Sequence, residues 1–185
     1  MKILLLLFLS LAGAVQAQSD FHAYLGTTKL VGGQREKLTV VTDNLQFDIR
    51  PPKGWSRVVD EPGRKIVFTS ESGQSAVTVQ FTTKSPGTLP EKEILQAQVL
   101  QAHPGGGIYN FAICPTSSQP GVYFDLALVP ALHVVQRIRH AFVAQPGGEV
   151  EFVLSASADE FEKNCSVIMS MLRGFQAVPL KPKEP

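Results

Sequence analysis

Two cysteines, four histidines and a pair of closely spaced arginines hold most of the chemistry that this 185-residue sequence could perform. Cys114 and Cys165 are the cysteines. A catalytic thiolate needs a positioned base and a depressed pKa, and no motif around Cys114 supplies either. An even count in an oxidising compartment predicts a disulfide between Cys114 and Cys165; two buried free thiols are the alternative. The histidines are His22, His103, His133 and His140. Metal sites need convergent imidazoles, thiolates or carboxylates, and neither H-x-H nor H-E-x-x-H occurs. His133 and His140 differ by an odd number of positions, so one regular strand sends them to opposite faces. His103 sits beside a helix end, where histidines commonly meet free carbonyls. No metal and no cofactor is therefore expected.

Arg137 and Arg139 share one face of a strand, against Ile138 and Phe142 on the other. Two neighbouring guanidinium groups repel, so they call for carboxylates or an anionic ligand. Asp125 and Tyr123, on the preceding strand, share a parity and can meet them; an ordinary cross-strand ion pair is the plainer reading. Trp55 follows Pro51-Pro52-Lys53-Gly54. It either plugs the end of a strand or offers an aromatic anchor to a partner. The hydrolase elbow G-x-S-x-G and the phosphate loop G-x-x-x-x-G-K are absent. Gly105-Gly106-Gly107 precedes a strand instead of opening a helix, so it reads as a helix stop.

These residues sit on a recognisable series of elements. Leu45–Ile49 alternates apolar and polar residues as a strand does. Segments 66–68 and 76–81 flank a Ser72-Gly73-Gln74 turn, which makes a hairpin. Pro90 to His103 changes to a helical period, with Ile94, Leu95, Val99 and Ala102 as its stripe. Strands follow over about 108–114, 121–129, 134–143 and 149–156. A last helix runs from about 159 to 173, with Phe161, Cys165, Ile168, Met169 and Leu172 on one face. Runs of strands interrupted by single helices predict an α+β fold, a central antiparallel sheet of about six strands with helices packed on it.

Composition narrows the function classes. Hydrophobic residues make up 44% and charged residues 18%, which excludes a disordered chain and a membrane bundle. Residues 1–17 read as a signal peptide: Lys2, an apolar run, then Val15 and Ala17 at the small positions of a cleavage site. Export to the periplasm or beyond the cell, after cleavage near Ala17, is the expectation. No later segment has spanning length. Without residues 1–17 the chain holds 16 basic and 16 acidic residues. No strong field draws it to nucleic acid. Residues 18–176 form the expected single domain, and 177–185 a Pro/Lys-rich disordered tail.

The stretch Phe47-Asp48-Ile49-Arg50-Pro51-Pro52-Lys53-Gly54-Trp55 resembles the opening strand and P-x-G-W turn of PsbP-like proteins. So do Arg139–Val143 leading into Val150–Ala156, and the closing helix from Asp159-Glu160-Phe161 to Met171-Leu172-Arg173-Gly174-Phe175. The resemblance spans about residues 45–175 and implies an α/β/α sandwich. It also implies a non-enzymatic role, since the family holds photosystem accessory subunits and bacterial exported proteins of unclear role. The cysteines are not part of its pattern. The expected function is a non-catalytic exported protein that binds or stabilises an envelope partner. A small-ligand carrier with a pocket between sheet and helix, and an uncharacterised hydrolase, are the alternatives.

Overall fold

A computed structural model describes residues 21–30, 33–42, 45–82, 87–116, 119, 121–128, 136–146 and 148–180. The expected signal peptide, its cleavage point, His133 and residues 181–185 lie outside them. The first three strands are β1 (His22–Leu30), β2 (Gly33–Thr42) and β3 (Leu45–Ile49). The hairpin strands β4 (Ser56–Asp60), β5 (Lys65–Thr69) and β6 (Ser75–Thr82) lead to helix α1 (Lys92–Ala102). A meander follows: β7 (Gly107–Ile113), β8 (Gly121–Leu128), β9 (Gln136–Gln145) and β10 (Gly148–Ser157). Helix α2 (Ala158–Gly174) and strand β11 (Gln176–Pro179) close the fold.

The strands form two sheets, where about six strands in one sheet were expected. The larger runs β4-β5-β6-β10-β9-β8-β7 and the smaller β1-β2-β3-β11. Both are antiparallel throughout. The topology follows from the helix inside it. α1 carries the chain from β6, in mid-sheet, to β7 at the far edge. The β7–β10 meander then works back until β10 pairs with β6.

Each face of the large sheet is covered differently. On one face, Phe68, Val77, Val79, Ala141, Val143, Phe152 and Leu154 meet Phe161, Ile168 and Leu172 of α2. The small sheet joins the same core. Phe47 of β3 lies 5.1 Å from Phe81 and stacks at 5.5 Å on Phe175, whose ring also meets Phe152 edge-on at 5.2 Å. The opposite face carries a smaller cluster of Phe124, Leu126 and Phe142 under Leu95 and Val99 of α1. Covered on both sides, β9 is buried from Ile138 to Gln145 without a break.

Several expectations change here. Residues 177–179, assigned to the tail, belong to β11 and pair with β3, and Ala177 packs against the core. On α1 the stripe narrows to Leu95 and Val99, while Ile94 is half exposed and Ala102 is exposed. Leu95 and Val99 are four apart and share a face, so Ile94 is carried to the side. On α2 the buried set includes Asn164 and Met171. Asn164 is tolerated there because its amide donates to Ser75 Oγ and to the Glu160 carbonyl, each at 2.9 Å.

Candidate functional site

Successive residues of β9 point to opposite faces, and two polar clusters grow from adjacent positions. Arg139 faces α2. Its register partner across the ladder is Asp125 on β8. The guanidinium donates from Nε and Nη2 to the two carboxylate oxygens at 2.6 and 2.8 Å, a bidentate pair. Asn110 of β7 donates a further bond to Asp125 Oδ2 at 2.8 Å. The Tyr123 ring lies 4.3 Å from the guanidinium carbon and Phe161 of α2 closes over it at 5.7 Å. Asp125 and Arg139 are 2% and 7% exposed, so the pair is out of water. Burial opposes the cation, yet the bonds and charge of Asp125 outweigh it and the Arg139 pKa rises above its usual value.

Arg137 takes another course. Its guanidinium donates to Glu162 of α2 at 3.0 Å, near the rings of Tyr109 and Phe161. The expected arginine pair is thus divided between two carboxylates, one buried and one exposed. Asp125, Tyr123 and Arg139 converge, as the parity of their positions allows.

His140 faces the α1 side. Its Nδ1 lies 2.6 Å from Oε1 of Glu151, and its Nε2 lies 3.0 Å from Nε2 of His103. His103 caps the C-terminus of α1, with its own N–H bonded to the Val99 carbonyl at 3.1 Å. The rings meet edge to face, 5.0 Å between centroids. Burial, then the neighbouring His140 charge, lowers the His103 pKa. The Glu149 carboxyl, also on β10, is pushed up by burial and by Glu151. No sequence motif marks this cluster. Its members come from a helix end and two strands, 37 and 11 positions apart, and only the packing of α1 brings them together.

The remaining candidates lie elsewhere. Both cysteines are free thiols, so the expected disulfide is not made. Cys114 follows β7 and is buried, its backbone paired with Gly121 across the β7–β8 hairpin. Cys165 lies half-buried on α2 beside charges of Arg139, Asp125 and Glu162. Burial pushes the Cys114 thiol up to about 12 and that of Cys165 to about 11, against the pull of Arg139. A protonated thiol is a poor nucleophile and does not readily form a bridge. Trp55 packs against the main core from the turn after β3. Gly54 makes that turn with φ at 79°, and the Trp55 N–H reaches the Pro52 carbonyl at 3.3 Å. His22 pairs at 3.6 Å with Glu61 on an exposed rim.

The Asp125–Arg139 cluster has both carboxylate oxygens of Asp125, and the Nε and Nη2 of Arg139, bonded within the protein. It is suited to locking β8, β9 and α2 together. The His103–His140 cluster keeps two ring nitrogens facing one another at the end of a helix.

No protein-family model matches the sequence, and neither does any curated protein. The fold is found among solved structures. Cyanobacterial PsbP (CyanoP) from Synechocystis sp. PCC 6803 superimposes with a TM-score of 0.53 at 17% identity, over 92% of this chain and 99% of that one. The Ran-binding protein Mog1p of Saccharomyces cerevisiae gives 0.52 at 13% identity, over 84% and 96%. LpqN of Mycobacterium tuberculosis, described as involved in cell envelope biogenesis, gives 0.51 at 11% identity, over 85% and 92%. Antiparallel sheet, paired helices and these superpositions agree: this chain has the PsbP-like fold.

Proposed function

We propose that this chain is an exported, non-catalytic protein that binds and stabilises another component of the cell envelope. The observation that carries the reading is the β7 edge of the large sheet. Among the described residues, β7 is hydrogen-bonded to β8 on one side and ends the strand order on the other. Its sequence, Gly107-Ile108-Tyr109-Asn110-Phe111-Ala112-Ile113, has no charge and no proline. Edge strands are usually blunted by such residues, because their free N–H and C=O groups recruit another strand. Tyr109, Phe111 and Ile113 are exposed on it, with Ile94 exposed on nearby α1. Lys92 lies 4.3 Å over the Phe111 ring at the rim of the groove between the two elements. A partner strand added to this edge would gain main-chain hydrogen bonds and apolar contacts together.

Export rests on the signal-like residues 1–17, and it places such a partner in the periplasm or outside the cell. LpqN, described as involved in cell envelope biogenesis, and Mog1p, described as Ran-binding, share the fold, and the first supports an envelope role and the second a binding role. The test is capture from the envelope fraction of the producing cell by the mature chain and by an Ile113→Lys variant. Ile113 is 77% exposed, so the charge burdens the edge and not the core. A protein retained by the native chain and lost with the variant is the expected result. A stoichiometric small molecule, or retention indifferent to the lysine, would overturn the reading.

A further inference from the structure

We propose that His103 and His140 chelate a divalent transition-metal ion of the zinc or copper type, with Glu151 as the carboxylate that orients the site. Three observations support it, and none involves the β7 edge. The first is spacing. Two Nε2 atoms 3.0 Å apart can both bond one ion: at metal–nitrogen lengths of about 2.05 Å they subtend about 94°, and a tetrahedral angle needs only about 3.3 Å. A change of a few tenths of an ångström, within the freedom of two ring torsions, completes the chelate.

The second is orientation. Oε1 of Glu151 lies 2.6 Å from Nδ1 of His140, on the side of the ring away from the Nε2 that faces His103. A carboxylate behind an imidazole is the arrangement that orients metal-bound histidines and strengthens them as ligands. The third is access. His140 is 5% exposed, but His103 sits half-buried at the open end of α1. The turn after His103, closed by the Gly106 N–H on its carbonyl at 3.0 Å, holds that ring at the margin where an ion can enter. Among the described residues no third histidine, cysteine or carboxylate joins the two rings, so water completes the shell. Imidazole nitrogens favour zinc and copper over magnesium or calcium.

Titration of the mature chain with zinc ion alone, followed by calorimetry, tests this. One ion per chain is expected. His103→Ala should weaken binding at least tenfold, and Glu151→Gln by roughly 10- to 100-fold. His22→Ala should leave it unchanged, because that ring lies on another rim. Long-range nitrogen spectra of the native chain give a reading that needs no variant: zinc should shift Nε2 of His103 and His140 and spare their Nδ1 atoms. Absence of binding at millimolar zinc, binding indifferent to His103→Ala, or shifts confined to other histidines would overturn the proposal.

Discussion

Arg139 and His140 are neighbours on β9, yet their surroundings differ in kind. Arg139 lies under α2 and the large core, with a bidentate carboxylate, an amide behind that carboxylate and aromatic rings on its faces. His140 lies where the shorter α1 ends, with one carboxylate and one second histidine. Complete cover demands complete pairing, because a buried charge without a partner is too costly. His140 is as buried as Arg139, but its partners Glu151 and His103 keep contact with water, which leaves room for hydrogen bonding that changes. The contrast shows how one strand can serve as a structural lock on one face and an adjustable site on the other.

The largest effect should come from unpairing the lock. Asp125→Leu alone leaves Arg139 buried without its anion and should cost about 3–5 kcal/mol in urea unfolding. Combining it with Arg139→Met should recover most of that loss, since an apolar pair needs no compensation. A single variant as stable as the double would erase the distinction between the two faces.

Thiol reactivity probes the closure of the same face. With pKa values of about 12 for Cys114 and about 11 for Cys165, little thiolate exists at pH 8. Relative to a free thiol near 9, alkylation of Cys165 should be about a hundredfold slower and that of Cys114 about a thousandfold. Thiolate is the reactive form, so the Cys165 rate should climb about tenfold per pH unit until about 11. Fast labelling of both at pH 8 would show that α2 does not seal this layer.

On the other face, Glu151→Gln should cost only about 1 kcal/mol in the same urea experiment, because the carboxylate keeps some contact with water. A loss as large as that of Asp125→Leu would make His140 a second lock. The smallest effect belongs to Arg137 and Glu162, whose 3.0 Å pair is largely solvated. Glu162→Ala should change stability by about 0.5 kcal/mol or less, and high salt should remove even that.

How much of this could be read beforehand varies by element. β3 follows from the alternation of Leu45, Phe47 and Ile49, and its observed limits are those of the pattern. α2 follows from the helical period starting at Phe161. β4 did not stand out, because Ser56, Arg57 and Val58 all face solvent on an edge strand and no alternation survives. β1 and β2 were hidden for a similar reason, since most of their residues before Leu38 are not buried. β11 is short and ends on a proline, and only its pairing with β3 makes it a strand. The cysteine count led to a disulfide, but a count carries parity without distance.

The sequence by itself determined what is periodic or local: the apolar faces of β3, β10 and α2, the turn at Gly54-Trp55, and the shared parity of Tyr123, Asp125, Arg137 and Arg139. Parity along a strand is set by backbone geometry, so Arg137 with Arg139, and Tyr123 with Asp125, could each be put on one face before any coordinates, while which arginine meets Asp125 stayed open. Tertiary structure alone decided the division into two sheets, the separation of Arg137 from Arg139, the free thiols, and the meeting of His103 with His140. Those outcomes depend on where one element lands against another. That is settled by the packing of whole faces, and no residue spacing encodes it.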